Sequence, residues 1–325
     1  MNTDPFQVAT KPMAPSAKPD DIRPSRPSAG KVLREIFSAE AAQRRPVSVA
    51  LRFAAWQLWR RLWRKPMPFR TVTGSRLLLI PNASDSLSGF WYHQLPDFEE
   101  LLFALHLLQA GDLFVDVGAN QGGWSLVLAG RSVRVLAFEP IPNTHRRMLA
   151  CIAENPPEIQ RNIRVVPVGL GENDGMARFT TELDVGNHLV RDEATDSDGV
   201  VEVRIGRLDS FLADDAPVLI KIDVEGEELP VLLGGRSVLA NPSLAAVIVE
   251  TFRPANHLRP QLVALEGLLC EHGFIPAAYD PRKRELRALT SPSEGAQNTI
   301  YVRNLPATMQ RLLRSKPVRA FGENF

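Results

Sequence analysis

Cysteine is scarce in this chain. Cys151 and Cys270 are the only two in 325 residues, and their separation fits neither a metal-binding nor a redox spacing, so reduced thiols in a reducing compartment are expected. Long apolar runs are also missing. No stretch approaches the roughly 18 residues a membrane-spanning helix needs, and the N-terminus lacks the charged-then-apolar pattern of a secretory signal. A cytoplasmic protein is therefore expected. Charge of one sign is lacking as well: 38 Lys and Arg face 37 Asp and Glu, a net charge of +1. Such a balance gives no footprint for a nucleic-acid partner. No internal repeat is visible.

What is present is a globular composition, 44% hydrophobic and 23% charged, long enough for one large α/β domain with an appendage. Residues Met1 to Gly30 hold Pro5, Pro12, Pro15, Pro19, Pro24 and Pro27 and few large apolar groups. A segment of that kind cannot offset its ordering entropy by burial. The expected organisation is a disordered tail over 1–45, an N-terminal helical and strand cap over 46–100, a catalytic domain over 101–305 and a tail over 306–325.

The cap opens with a helix expected over Val47–Lys65. Phe53, Trp56, Trp59 and Trp63 recur at spacings of three and four, with Leu51, Leu58 and Leu62 widening the same face. Arg52, Arg60, Arg61, Arg64 and Lys65 make its second half basic. Packing on the catalytic domain is the common use of such a face. A peripheral contact with an anionic membrane is the other.

From Leu113 onward strand and helix patterns alternate. Strands are expected at Leu113–Val117, Arg134–Phe138, Ile163–Val168, Val218–Asp223 and Ala245–Glu250, and two more at Phe274–Tyr279 and Thr299–Arg303. Helices fall between them, one of them over Glu227–Leu239. The alternation predicts a doubly wound α/β, Rossmann-like sheet, mainly parallel, with an antiparallel strand near the C-terminus. Pro167 lies in the third strand, and proline belongs at sheet edges, where this order puts that strand.

In such sheets ligands lie beyond the strand C-termini, where strand order reverses. Asp116, Glu139, Asp223 and Glu250 stand at four of those ends. The loop Asp116-Val117-Gly118-Ala119-Asn120-Gln121-Gly122 turns at Gly118, where glycine permits the backbone and a close approach. Glu139 follows by about twenty residues, the spacing at which an acid meets ribose hydroxyls. A dinucleotide fingerprint would read G-x-G-x-x-G, and Asn120 occupies its second glycine position. Asp116 would repel a pyrophosphate and attract an ammonium group. These points weigh against a nicotinamide-dependent oxidoreductase. A non-catalytic scaffold would be marked by lost strand-end acids, and all are present.

Taken together, Val115-Asp116-Val117-Gly118-Ala119-Asn120, Ala137-Phe138-Glu139-Pro140 and Ile220-Lys221-Ile222-Asp223-Val224-Glu225-Gly226 resemble the FkbM-type methyltransferases. Gly171-Glu172 with Asp174-Gly175, Arg207-Leu208-Asp209 and Val247-Ile248-Val249-Glu250 match as well. The resemblance runs from about Asp97 to Arg303. It implies a class I fold and an S-adenosyl-L-methionine-dependent O-methyltransferase acting on a hydroxyl of a sugar, glycan or secondary metabolite. By resemblance Asp116, Gly118 and Asn120 would meet the methionine moiety, Glu139 the ribose, and Gly169 and Leu170 the adenine, with Asp223 near the sulfonium. Trp124 departs from the tyrosine or smaller residue of many members, and would narrow the pocket or pack under the first helix.

An alcohol acceptor must lose its proton as it attacks. Asp223 is the first candidate base or substrate orienter, His188 the second and Glu225 the third. Strand alternation would put Lys221, Asp223 and Glu225 on one side, where Lys221 and Glu225 could simply form an ion pair. Asp223, Glu225 and Glu250 could gather a divalent ion, but their spacing does not demand one, and no metal is expected. The acceptor and the oligomeric state have no readable motif.

Overall fold

The computed structural model describes residues 36–37, 42–43, 45–81, 87–180, 199–212, 215–251, 259–292 and 297–325. The expected tail over 1–45 falls almost wholly outside these residues, and so do His188 and nearly all of the insert around it.

The cap begins with α1 (Pro46–Leu62), then a hairpin of β1 (Met67–Arg70) and β2 (Arg76–Leu79), followed by α2 (Ser88–His93) and α3 (Phe98–Leu107). A proline starts α1, where its missing N–H costs nothing. Arg64, with φ of +52°, turns the chain away after Leu62. One side of α1 is seated: Val49 and Trp56 are buried and Phe53 packs against Tyr92. Leu51, Leu58 and Leu62 do not share that side, contrary to expectation. At about 100° per residue they lie far round the helix from Trp56, and all three are exposed.

Beyond the cap, β3 (Leu113–Val117), α4 (Gly123–Ala129), β4 (Arg134–Phe138), α5 (Pro142–Ala153), α6 (Pro157–Gln160) and β5 (Ile163–Val166) form the first half of the main sheet. A small sheet follows, made of β6 (Gly169–Leu170), β7 (Gly175–Thr180) and β8 (Val200–Gly206). Then come α7 (Leu208–Phe211), β9 (Pro217–Ile222), α8 (Glu228–Leu233), α9 (Arg236–Ala240), β10 (Ala246–Glu250) and α10 (Arg259–Glu271). The last main-sheet strands are β11 (Ile275–Asp280), β12 (Glu285–Ala288) and β13 (Asn298–Val302).

The eight-stranded sheet has the order β12-β11-β13-β10-β9-β3-β4-β5. Strands β10, β9, β3, β4 and β5 are parallel neighbours, while β13 inserts antiparallel between β10 and β11. This is a doubly wound, mainly parallel α/β architecture with one antiparallel strand inserted, as expected. Strand β5 ends the order, so Pro167 follows an edge strand as its missing N–H requires. The direction of winding reverses between β3 and β9.

Both faces of the sheet are covered, which the near-continuous apolar strands demand. Phe114, Val135, Ala137, Leu219 and Ile248 join one core cluster. Val115, Val117, Leu136, Phe138, Ile220, Ile222, Val247 and Val249 join the other.

Two elements depart from expectation. The helix read over Glu227–Leu239 is two helices separated by Gly234 and Gly235, and a Cβ at Gly234 would overlap the Gly171 carbonyl, so only glycine fits this close approach. Asp209 stitches that junction: its backbone N–H donates to the Gly234 carbonyl (3.0 Å), and its Oδ1 accepts from Val238 N (3.1 Å). The residues after 305 are also folded, as α11 (Leu305–Arg314) and the short pair β14 (Arg319–Ala320) and β15 (Glu323–Asn324). Asn304 caps α11, Arg311 bonds Asp112 and the Leu107 carbonyl, and Phe325 packs edge-on to Phe98 at 5.3 Å. These contacts fasten the C-terminus to α3. Among the described residues, no helix is long and apolar enough to cross a membrane.

Candidate cofactor site

A cavity of about 460 Å³ opens at the C-terminal ends of β3, β4 and β9, at the point where strand order reverses. Its floor is the β3 loop. Gly118 has φ of +80°, and a Cβ there would overlap the Asp223 carbonyl oxygen. Glycine is thus required twice, once for the left-handed backbone and once because the ends of β3 and β9 touch. Asn120 is also left-handed, with φ of +50°.

Glu139 holds that loop in place. Its Oε2 accepts from Asn120 N and its Oε1 from Ile141 N, both at 2.9 Å. It is 5% exposed, and burial pushes its pKa up to about 7 against the pull of the two backbone N–H groups. Each carboxylate oxygen keeps a second lone pair for a ligand hydroxyl. Gln121 lines the same cavity and is buried, and its Oε1 has no hydrogen-bond partner among the described residues. A buried amide oxygen left this way costs free energy until something donates to it.

Asp116 and Lys221 are side-by-side partners across β3 and β9, on the sheet face that carries Phe114 and Leu219. Burial raises the Asp116 pKa, opposed by Lys221 and by the Ser125 hydroxyl, which donates to Oδ2 at 2.6 Å. Lys221 donates to Asp223 Oδ2 at 2.7 Å and lies 5.4 Å from the centroid of the Trp124 ring. Its side chain is 5% exposed. Burial alone would lower its pKa, but Asp223, Asp116 and Asp97 outweigh that and hold the ammonium above its ordinary value.

Asp97, at the start of α3, closes the ring. Its Oδ2 accepts from Trp124 Nε1 at 3.2 Å, and burial raises its pKa against the attraction of Lys221. Trp124 therefore does both things foreseen for it: it stacks on Phe114 (6.4 Å between centroids) and it lines the cavity. No sequence signal marks Asp97 for the site, and Lys221 bonds Asp223 where strand alternation suggests Glu225. Strand β9 ends at Ile222, and Glu225 sits beyond it with φ of +53°, so strand alternation no longer applies. Lys221 pairs with Asp223 instead.

Gly169 and Leu170 reach the cavity through β6, where a Cβ on Gly169 would come within 2.6 Å of Ile205. The β7–β8 hairpin adds Ala177, Phe179 and Ile205, and the cap adds Leu87, Phe90, Pro96 and Asp97. Asp116, Gly118, Asn120, Glu139, Gly169, Leu170, Asp223 and Glu225 all line one space. The carboxylates of Asp223, Glu225 and Glu250 approach within 4.8 Å of one another, close enough for a cation. Carboxylates at that spacing do not by themselves define an ion.

A model of the methyltransferase FkbM domain matches residues 116–276, the stretch that holds all four strand-end acids. Over these residues the chain carries a methyltransferase FkbM domain. A methyltransferase of Sordaria araneosa, sdnD, is 26% identical over 215 residues, covering 54% of this chain and 79% of that protein. Among solved structures, the methyltransferase FkbM from Methylobacillus flagellatus KT is similar with a TM-score of 0.42 and 18% identity, over 68% of this chain. The chain spans 56% of that protein's length. The SAM-dependent O-methyltransferase from Thermotoga maritima is similar with a TM-score of 0.35 and 14% identity, over 73% of this chain and 77% of the other.

Proposed function

We propose that this methyltransferase uses S-adenosyl-L-methionine and methylates a hydroxyl of a sugar, glycan or secondary metabolite. The observation that carries the reading is the sign of the cavity. Asp97, Asp116, Glu139, Asp223, Glu225 and Glu227 line it, and Lys221 is the single cation among its described lining residues. Such a wall attracts a ligand that carries a sulfonium and an ammonium and repels a pyrophosphate. The loop amides support the same choice. Gly118 N and Ala119 N donate to the Phe138 carbonyl and Asn120 N to Glu139, so they do not form the open amide cradle that a dinucleotide phosphate needs.

The residues fit the cofactor. Glu139 offers carboxylate lone pairs to ribose hydroxyls, the unpartnered Gln121 Oε1 offers an acceptor to the methionine ammonium, and Gly169 and Leu170 flank the adenine. When bound, S-adenosyl-L-methionine supplies an electrophilic methyl group on a cationic sulfur. The chain's own part is to align the acceptor, exclude water and receive a proton. Asp223, oriented by Lys221, takes the proton of the acceptor hydroxyl. Asp97, on the facing wall, shares Lys221 and stabilises its charge. Leu87, Phe90 and Pro96 close the cavity from the cap side and keep water out.

Exchanging Asp223→Asn is expected to lower turnover by about 10²- to 10⁴-fold while S-adenosylhomocysteine affinity changes less than tenfold. Calorimetry beside single-turnover rates checks this. The reverse pattern, lost affinity with preserved rate, would reassign Asp223 to cofactor binding.

A further inference from the structure

Helix α1 is built like a two-sided plank. Its inner side is fixed to the cap: the Arg52 guanidinium donates to the Trp91 carbonyl (2.6 Å), and Trp91 Nε1 donates back to the Arg52 carbonyl (3.0 Å). The outer side is apolar and uncovered. Val47 is 71% exposed, Leu51 66%, Leu58 56% and Leu62 62%. At 100° per residue these four lie within one narrow stripe, with exposed Ala54 and Ala55 between them. Trp63, 55% exposed, follows the helix about 100° round from Leu62 and packs on Trp59. Four large side chains in a row on one helix face are more than the scattered surface apolars of an ordinary soluble protein.

The charge around the stripe is of one sign. No Asp or Glu occurs from Ala41 to Ser84, although the whole chain is nearly neutral. Arg61 flanks the C-terminal end of the stripe, Arg64 and Lys65 follow just past the helix, Arg60 is exposed on the other side of the last turn, and Arg70 and Arg76 are exposed beyond them. An anionic bilayer presents both an apolar interior and a negative surface, the two features that this face complements. We infer that the outer face of α1 seats the protein on an anionic lipid membrane. Val47, Leu51, Leu58 and Leu62 enter the interface between headgroups and acyl chains, and the basic cluster meets the lipid phosphates. Because α1 packs on α2, whose Phe90 lines the cavity, the membrane-facing cap is also a wall of the site.

This inference stands apart from the methyl-transfer reading, since its readout requires neither cofactor nor turnover. The full chain is floated with vesicles of about three parts phosphatidylcholine to one part phosphatidylglycerol, and separately with phosphatidylcholine alone. Co-flotation with the anionic vesicles alone, reversed by added salt, is expected. The double substitution Leu51→Glu with Leu58→Glu should weaken it by about tenfold or more, and Arg61→Glu with Lys65→Glu by a similar factor. Both pairs are exposed, so the melting temperature should hold. A folded wild-type chain that fails to float, or a Leu51→Glu, Leu58→Glu protein that floats like wild type, would overturn the inference. Absence of flotation together with dimerisation that Leu58→Glu abolishes would assign the stripe to a contact between copies instead.

Discussion

At Gly118 two demands coincide, a left-handed backbone and the contact between the ends of β3 and β9. Gly118→Ala is therefore expected to cost more than the usual glycine penalty, about 3 kcal/mol or more, seen as a large drop in melting temperature. Lys221 is the second residue on which the site turns. Removing its charge leaves buried Asp116 facing Asp223 and Asp97 without compensation. Lys221→Met is expected to destabilise the fold by about 3–5 kcal/mol near neutral pH. The deficit should shrink as pH falls and the acids protonate, and thermal melts across pH check that direction. Gly118, Asp116 and Glu139 were legible in the sequence because they stand at fixed offsets from apolar runs. The pairing of Lys221 was not. It depends on where β9 stops and on the left-handed turn at Glu225, and neither has a signature in residue type.

At the scale of elements, the parallel strands and their order could be read from apolar runs and from Pro167. The β7–β8 hairpin could not, because its strands are half-exposed and carry no strict alternation. The aromatic face of α1 is legible in the sequence from spacings of three and four, but Leu51, Leu58 and Leu62 do not widen it, because at about 100° per residue they lie on the other side of the helix. Helix α3 gives a test of its own. Burial pushes the Glu100 pKa up to about 7 from its ordinary value of 4.5, so ionising this group costs folding free energy. That cost is absent below about pH 4.5 and complete above about pH 7. Glu100→Gln is thus expected to stabilise the protein by about 1–3 kcal/mol at pH 8 and to leave it unchanged near pH 4.5. Equal effects at both pH values would show that the gain does not come from the charge.

For the molecule as a whole, the cap, the sheet and the folded C-terminus converge on one acid-lined cavity at the switch point. Asp97 reaches it from the cap, which sequence reading had treated as separate from the catalytic domain; only the packing of α3 against the sheet brings it to Lys221. We propose that this cavity receives the nucleoside and amino-acid ends of S-adenosyl-L-methionine. Titration calorimetry with S-adenosylhomocysteine tests it most directly. Saturable binding is expected, weaker as pH falls through about 7, where Glu139 takes up a proton. Glu139→Ala should weaken binding by about tenfold or more, as expected when a charged hydrogen-bond acceptor is lost. A folded protein that ignores S-adenosylhomocysteine and binds NADH tightly would contradict the account.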